Sequence, residues 1–369
     1  MKKQLKEGIK IASFTSLFIL GATLALDQTL RHLKNKNRSY SAFVAPYPYV
    51  LKNYLDSGLS NADVKQLLIE TTPNQGWKYE EILGFTETPR SGKFVNVSPL
   101  GFRRNNTSEP RDSSITTKPA SDDLIYFFGG STAFGYGVSD NQTIAAQLEK
   151  LRPNSEVINF GRGYYYSEQE NLLLDRLLNN GAAQPKTAIF LDGLNEGCTI
   201  SPYKGQLEDL FARSSSLDYN WRSDEILKPY IHASNKILSK LGLNKSNVGR
   251  DVKEKTCSNL GLPPIAISEV FASNMKARQA ICKKHGIRCL TFLQPLPGVN
   301  ARHTHIDPTL QESLRNKYSL IAPTATKQIY GLIDISDSLS DLQKHAFIDN
   351  VHYSPEANQK IAKEINKYF

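Results

Sequence analysis

The 369-residue chain has the composition of a globular protein, with 40% hydrophobic and 22% charged residues and no internal repeat. Its formal net charge of +9 is concentrated at the N-terminus, because residues 1–40 hold eight Lys or Arg and only two acidic residues. The remaining chain, with 37 basic and 34 acidic residues, is close to neutral. A nucleic-acid-binding domain would spread positive charge over a folded surface, so this distribution argues against nucleic acid as a partner.

The first residues are typical of a signal anchor. Residues 1–10 form a basic tail, and residues 11–27 form an apolar segment that carries no charge before Asp27. This run is slightly shorter than the ~20 residues of an average membrane-spanning helix. A cleaved signal peptide is the alternative, but the best small-x-small cleavage site, Thr23-Leu24-Ala25, is poor. We therefore predict an uncleaved single-pass transmembrane helix, with the N-terminus in the cytoplasm and the folded body in the periplasm or on the cell surface.

Residues 28–120 are predicted to form a stalk and an N-terminal extension. Within them, Ser60-Asn61 signals the start of a short amphipathic helix. The segment 92–103 predicts an edge strand followed by a turn. Residues 105–122 are rich in Ser, Thr, Pro and Asp, which is typical of a loop ahead of a main domain.

Residues 121–369 alternate between short apolar runs and helical periodicity. The runs, rich in β-branched and aromatic residues, predict strands at 124–128, 156–160, 187–191, 288–293 and 331–335. The periodicity predicts helices at 141–151, 167–179, 266–285, 308–321 and 355–368. Ser354-Pro355, a cap followed by proline at the first helical position, marks the start of the last helix. This alternation predicts a three-layer α/β fold, with a five-stranded parallel sheet in flavodoxin-like order and helices on both faces.

Residues 198–264 interrupt the alternation. Helical stretches at 204–213 and 223–241, a polar loop and Pro263-Pro264 indicate a helical insertion, which we place over the carboxyl edge of the sheet.

The four cysteines are Cys198, Cys257, Cys282 and Cys289, and none shows the CxxC spacing of a zinc or redox site. In an exported protein they can form two disulfides, Cys198 with Cys257 and Cys282 with Cys289. Alternatively, all four are small buried hydrophobic residues.

The main candidate for chemistry is Ser131. The apolar run before it ends at Gly129-Gly130, so the backbone can turn sharply and present Ser131 at the carboxyl end of a buried strand. That end is where open α/β sheets bind ligands. Far downstream, Asp349 and His352 supply a carboxylate and an imidazole three residues apart. Either motif alone is as typical of a turn or a helix cap as of a catalytic site. Together, however, they contain the parts of an activated-oxygen nucleophile.

Two further segments follow predicted strands at the same edge. Residues 159–163, with the sequence Asn-Phe-Gly-Arg-Gly, contain glycines that let N–H groups turn toward a ligand. Residues 192–197 place Asn195 at the end of the neighbouring strand. The N–H of Ser131, an N–H near Gly163 and the side-chain NH₂ of Asn195 can therefore form an oxyanion hole.

In these four segments the chain resembles the SGNH (GDSL-like) hydrolase family, over roughly residues 123–369 with the insertion as the poorest part. Each segment resembles one family block: Gly129-Gly130-Ser131 the nucleophile block, Asn159–Gly163 the glycine-donor block, Gly193–Glu196 the Gly-x-Asn-Asp block, and Asp349–His352 the terminal acid and base.

The chain departs from the family pattern at three positions. Gly130 replaces the Asp before the serine, and Glu196 replaces the final Asp of Gly-x-Asn-Asp. In the common pattern the donor glycine lies five residues after the asparagine, where this chain has Tyr164, and Gly163 lies one residue earlier. A backbone N–H can come from either residue.

The resemblance implies a serine ester hydrolase that needs no metal or cofactor. His352 would take the Ser131 proton, Asp349 would orient the imidazole, and an acyl-serine would form. With the predicted anchor, the expected substrates are acyl or acetyl esters of glycans or lipids in the cell envelope.

Two other functions would use the same residues. An O-acyltransferase would pass the acyl group to a cell-surface polysaccharide, and the resemblance includes anchored members that act beside a membrane-bound O-acyltransferase. A non-catalytic glycan-binding scaffold is the third alternative, although the complete set of candidate catalytic residues argues against it.

Four further side chains or groups are weaker candidates for a role at a functional site. Tyr164 is predicted to line the substrate pocket or to wedge its loop against the insertion, and Gln294, at the end of the fourth strand, is predicted to contact substrate or support the site. His303-x-His305-x-Asp307 has the spacing of half a metal site, but no third ligand is evident and a polar loop is the simpler interpretation. His345 is expected on the surface.

Overall fold

The structure is a computed structural model, and it describes residues 54, 58–71, 77–80, 83–105, 123–196, 264–303, 306, 308–326, 331–342 and 345–369. The predicted tail and anchor (1–27) lie outside the described residues, as do the helical stretches of the predicted insertion. Among the described residues, no helix has both the length and the apolar character needed to cross a membrane.

The described residues ahead of the central sheet, between 54 and 105, contain one helix and four short strands. Helix α1 (Asn61–Thr71) begins where the sequence predicts, and the Ser60 hydroxyl accepts the N–H of Asp63 at 3.2 Å as a helix cap. The strands form two antiparallel pairs: β1 (Trp77–Glu80) with β2 (Gly84–Glu87), and β3 (Arg90–Ser91) with β4 (Asn96–Val97).

Five parallel strands form the central sheet. They are β5 (Asp123–Gly129), β6 (Ser155–Asn159), β7 (Thr187–Asp192), β8 (Arg288–Leu293) and β9 (Leu332–Asp334). The order across the sheet is β6-β5-β7-β8-β9. The second strand of this domain thus lies outside the first, and the predicted flavodoxin-like order is confirmed.

In the part of the chain that the structure describes, six helices connect or follow these strands. They are α2 (Ser131–Phe134), α3 (Ile144–Leu151), α4 (Ser167–Asn179), α5 (Pro264–His285), α6 (Pro308–Thr326) and α7 (Pro355–Asn366). The last begins at the predicted Pro355, and the hydroxyl of Ser354 accepts the N–H of Ala357 at 3.2 Å. Several helix bounds differ from the sequence prediction. The largest differences are that a 3₁₀ turn (Asp140–Gln142) precedes α3, and that α6 continues past Pro323, where Ile321 and Thr324 are buried.

The three layers follow from the alternation of side chains along the central strands. On one face, Ile125 and Phe127 of β5 pack in a core with residues of α3 and α7. On the other face, Leu124, Tyr126 and Phe128 pack with residues of α4 and α5. Both faces of β5 are therefore covered, which explains its nearly continuous apolar sequence.

The segment 96–103 lies against the edge of this sheet. It forms β4 and then a turn closed by a hydrogen bond from Gly101 N–H to the Ser98 carbonyl, at 2.9 Å. Arg103 then makes a bridge with Asn159 of the edge strand β6, where its N–H donates to the Asn159 carbonyl at 2.9 Å.

Cys282 and Cys289 form a disulfide that joins α5 to β8. This pairing was one of the two alternatives that the sequence left open. Cys198 and Cys257 lie outside the described residues.

Candidate active site

Ser131 lies immediately after β5, as the first residue of the short helix α2. On one side, the amide of Asn195 packs against Gly130, where an added Cβ atom would lie 2.3 Å from Asn195 Nδ2. On the other side, the backbone of Gly161 contacts α2, since an added Cβ atom would lie 2.3 Å from Phe134 N. Gly161 therefore leaves no room for a side chain, and a side chain at position 130 would displace the Asn195 amide. The segment that carries Ser131 is thus held between two neighbouring loops.

His352 and Asp349 form a hydrogen-bonded pair just ahead of α7. His352 Nδ1 lies 2.6 Å from Asp349 Oδ2. The other carboxylate oxygen, Oδ1, accepts the backbone N–H groups of Val351 at 2.9 Å and of His352 at 2.8 Å. This set of donors fixes the carboxylate, which in turn orients the imidazole ring.

The electrostatic environment keeps Asp349 ionised. Burial acts to raise the pKa of Asp349, but the adjacent His352 ring and the two N–H donors outweigh it and lower the pKa below its ordinary value. An ionised Asp349 accepts the Nδ1 proton of His352, which leaves Nε2 as the basic atom of the ring.

The second ring nitrogen of His352, Nε2, is buried and has no hydrogen-bond partner within the described ranges. The ring packs against Tyr136, with 5.1 Å between ring centroids. Tyr136 belongs to the loop after α2, and its N–H lies 3.2 Å from the carbonyl oxygen of Ser131. The loop that follows Ser131 thus contacts the histidine, and no described residue hydrogen-bonds the atom needed for general-base catalysis.

A buried amide joins the segments that follow Ser131 and His352. Thr132 Oγ1 and Tyr353 Oη lie 2.8 and 3.0 Å from Oε1 of Gln294. Gln294 is 2% exposed, so protein hydroxyls occupy its oxygen. This arrangement brings the two segments together at the carboxyl edge of the sheet and favours a supporting contact for Gln294 over a substrate contact.

The predicted oxyanion donors lie around the turn that carries Ser131. Asn195 Nδ2 donates to the Tyr165 carbonyl at 2.8 Å. A turn from Arg162 to Tyr165, closed by a 3.2 Å hydrogen bond between their backbones, has Gly163 as its second residue. In the part of the chain that the structure describes, the N–H groups of Ser131 and Gly163 donate to no backbone carbonyl. These two N–H groups, and the second N–H of the Asn195 amide, can therefore donate to a ligand oxygen.

Tyr164 has an unusual backbone conformation within this turn. Its φ of 62° lies in the left-handed region, which few residues other than glycine adopt. Position 164 is also where the resembled pattern has its donor glycine, so a tyrosine takes the conformation that glycine favours. Tyr164 is 50% exposed. An exposed ring on a strained backbone beside the site is a candidate ligand contact.

A buried ionic cluster supports the loop that carries Asn195. Glu196 accepts the backbone N–H of Ser167 at 3.0 Å and its hydroxyl at 2.8 Å, and thereby caps α4. At the end of β7, Asp192 accepts a hydrogen bond from Arg278 of α5 at 2.5 Å. Burial, with the neighbouring Asp192 charge, raises the pKa of Glu196 to about 7. The cluster ties α4 and α5 to the loop of Asn195.

The contacts of Tyr136 extend the site toward the N-terminal segment. Its hydroxyl lies 3.4 Å from Oε1 of Glu87, a buried residue of β2. Glu87 in turn pairs with Arg90 at 3.1 Å. None of these three residues is predictable from the sequence, because a single Glu, Arg or Tyr in an irregular segment carries no periodic signal.

His303 and His345 lie outside the pair, the first in a structural position and the second on the surface. His303 Nε2 lies 2.7 Å from the carbonyl oxygen of Asp349, and the His303 ring stacks on Phe347. His305 and Asp307 lie outside the described residues. Within those residues, no three His, Cys, Asp or Glu side chains are grouped so as to hold a metal ion. His345 is exposed.

No known protein family matches the sequence, and no curated relative does. Three solved structures illustrate what the fold is similar to. A lipolytic protein of the G-D-S-L family from Veillonella parvula has 14% identity and a TM-score of 0.38, over 67% of this chain and 97% of that one. The acetyl xylan esterase AlAXEase has 13% identity and a TM-score of 0.38, over 66% and 98%.

The third is Est24, a carbohydrate acetylesterase from Sinorhizobium meliloti, with 13% identity and a TM-score of 0.38 over 67% of this chain and all of that one. At TM-scores below 0.5 these similarities carry no argument for an activity of this chain, which depends on the geometry of its own site.

Proposed function

We propose that this protein is a membrane-anchored serine ester hydrolase of the cell envelope. The observation that carries the proposal is the Asp349–His352 pair at the same edge of the sheet as Ser131, with a buried Nε2 that no described residue hydrogen-bonds. A carboxylate that orients an imidazole, and a serine hydroxyl that the imidazole can deprotonate, are the parts of an activated nucleophile.

In the first half of the proposed reaction, Ser131 Oγ attacks the carbonyl carbon of an ester while His352 Nε2 takes its proton. Asp349 holds the imidazole and stabilises its charged form. The negative oxygen of the tetrahedral intermediate is held by the N–H groups of Ser131 and Gly163 and by Asn195 Nδ2. The C–O bond to the alcohol then breaks, His352 returns its proton to the leaving alkoxide, and an acyl-serine remains.

In the second half, water replaces the alcohol. His352 Nε2 takes a proton from the water as its oxygen attacks the acyl carbon, and the bond to Ser131 Oγ breaks with return of that proton. The net reaction converts one ester and one water into one acid and one alcohol. Each step uses only side chains and N–H groups of this chain.

The proposed location depends on two features. Residues 11–27 are apolar between basic flanks, which is typical of an anchor. The disulfide between Cys282 and Cys289 favours an oxidising compartment such as the periplasm or cell surface. The ring of Tyr164, half exposed beside the site, offers an apolar face to a sugar. These features favour acyl or acetyl esters of envelope glycans over soluble metabolites.

A second candidate is transfer of the acyl group to a polysaccharide hydroxyl, with a membrane-bound O-acyltransferase as the donor. The observation that favours it is the low exposure of Ser131 and His352, at 8% and 9%. An acyl-serine sheltered from bulk water persists longer and can react with a bound alcohol. Free acid as the main product, in the presence of a glycan acceptor, would argue against transfer.

The direct test is turnover of a small acetyl ester together with labelling by a fluorophosphonate. Wild-type protein should release acetate and carry one phosphonyl adduct on Ser131. The Ser131→Ala variant should lose both while its circular dichroism and melting temperature stay unchanged. Labelling elsewhere, or full turnover by the variant, would overturn the proposal.

A further inference from the structure

One guanidinium binds the backbone of the loop that follows the proposed nucleophile. Arg103 Nη1 lies 2.8 Å from the Phe134 carbonyl oxygen and 2.5 Å from that of Gly135. Nη2 lies 2.6 Å from the carbonyl oxygen of Val138. Arg103 is 1% exposed, so these bonds form inside the protein. A single side chain from the segment ahead of the sheet thus binds three carbonyls that follow Ser131.

The guanidinium is itself fixed from two other directions. Its Nε donates to Asp140 Oδ1 at 3.0 Å, and both side chains of this ion pair are fully buried. Asp140 also accepts the backbone N–H and the side-chain NH₂ of Asn96, at 3.1 and 2.7 Å. The guanidinium lies 4.9 Å from the centre of the Phe134 ring. Its position is therefore determined by groups outside the loop as well as within it.

A contribution to folding stability does not by itself explain why the buried Arg103–Asp140 ion pair is present. Burial is the largest effect on both partners, and it lowers the pKa of Arg103 and raises the pKa of Asp140 despite their mutual attraction. A buried ion pair of this kind is often no more stable than apolar residues of similar volume. Its distinguishing property is the fixed fork of donors, which places several acceptors at set positions.

The loop that Arg103 binds contacts the backbone of Ser131 and the ring of His352. The carbonyl oxygen of Ser131 accepts N–H groups from Gly135 at 2.9 Å and from Tyr136 at 3.2 Å. The ring of Tyr136 packs against His352. A shift of the carbonyls at 134–138 would therefore move the backbone of Ser131 and release the ring of His352.

We propose that Arg103 is a positioning residue, which sets the Ser131 hydroxyl relative to His352 by holding the loop between them. This inference rests on the proposed esterase function. Arg103 reaches neither substrate nor the reacting atoms, so its removal should slow the attack by Ser131 and leave substrate affinity nearly unchanged.

The first test compares Arg103→Lys with the wild type. Lysine keeps the charge, but its three N–H donors radiate from one compact nitrogen, which cannot bind three carbonyls and Asp140 together. We expect labelling of Ser131 by a fluorophosphonate and kcat for a small acetyl ester to fall 10- to 100-fold, with KM within threefold, at a temperature where the variant is folded. Arg152→Lys is the matched control, because Arg152 is a half-buried arginine that pairs with Asp123 at the opposite end of β5, and it should keep wild-type rates.

A second variant covers failure of Arg103→Lys to fold. The double replacement Arg103→Met with Asp140→Leu removes both charges and fills the space with apolar atoms, so it leaves no unpaired buried charge. This double variant should fold, but the fluorophosphonate should still label its Ser131 slowly, because the N–H groups that donate to the three carbonyls are gone. Wild-type labelling and kcat in either folded variant would overturn the positioning role. Absence of labelling in the wild type itself would instead overturn the esterase proposal, and with it this inference.

Discussion

Thr132 and Tyr353 place their hydroxyl oxygens 2.8 and 3.0 Å from the same atom, Oε1 of Gln294. Each hydroxyl belongs to the residue directly after a proposed catalytic side chain, Ser131 or His352. The Tyr353 hydroxyl also lies 2.6 Å from the carbonyl oxygen of Pro295, so this contact is part of a buried polar group at the end of β8. Two segments more than two hundred residues apart are thereby linked through one amide.

Gln294→Leu should lower both stability and turnover. Leucine has nearly the same volume but no acceptor, which leaves the Thr132 hydroxyl without its partner in a buried site. We expect a loss of about 1–3 kcal/mol in the free energy of unfolding, measured by urea denaturation, and a larger fractional loss of kcat than of folded protein. Gln147→Leu, at an amide whose hydrogen bond is exposed, should change neither. Equal effects of the two variants would contradict a role for Gln294 at the site.

Gly130→Ala should act through Asn195. The new Cβ atom would lie 2.3 Å from Asn195 Nδ2, so the amide must move away from its place beside Ser131. Loss of one oxyanion donor typically lowers turnover ~10²–10³-fold. Asn195→Ala should show a similar loss, and the double variant should be little worse than Asn195→Ala alone, because both changes remove the same donor. Losses in kcat that multiply in the double variant would show that Gly130 acts independently of Asn195.

Tyr164→Asn should affect the hydrolysis of glycan esters more than that of small esters. Asparagine accepts the left-handed backbone more readily than tyrosine, so the free energy of unfolding should be unchanged or rise by up to ~1 kcal/mol. We expect kcat for a small acetyl ester to stay within threefold, while KM for an acetylated oligosaccharide rises about tenfold through loss of ring stacking. Tyr164→Phe, which keeps the ring, should behave as the wild type. The same KM change for both substrates would exclude a glycan contact.

Glu196 should make stability depend on pH between weakly acidic and neutral conditions. Since burial raises its pKa from the ordinary 4.5 to about 7, the folded protein holds this proton more tightly than the unfolded chain does. The stabilisation is complete below pH 4.5 and is lost as pH rises through 7. Glu196→Gln removes this dependence.

We therefore expect the wild type to lose on the order of 2–3 kcal/mol relative to Glu196→Gln between acidic and mildly basic pH, measured as unfolding free energies in urea. The comparison cancels the opposite contribution of Asp349, whose lowered pKa gives stability that is lost only as pH falls. Glu356→Gln, at an exposed carboxylate of α7, should run parallel to the wild type. A parallel profile for Glu196→Gln would show that Glu196 has the same pKa in the folded and the unfolded states.

The central sheet could be predicted from the sequence because its signals are local. The apolar run at 124–128 and the cap at Ser354 each appear within a few residues, and the structure has β5 and α7 at those positions. The His352 pairing with Asp349 could also be anticipated, since three residues separate the two side chains. The contacts of Tyr136 with Glu87 and His352 could not, because no periodicity relates residues that distant.

By itself, the sequence determined the order of strands and helices, the candidate Ser131, Asp349 and His352, and the need for small residues before the serine. Only the tertiary structure decided what holds these groups in place: Arg103 binds carbonyls more than thirty residues ahead of it, and Gln294 links Thr132 to Tyr353. The reason is physical. Backbone carbonyls are chemically the same at every residue, so the partner of a buried guanidinium or amide is selected by the packing of the chain and not by the identity of the residue that accepts.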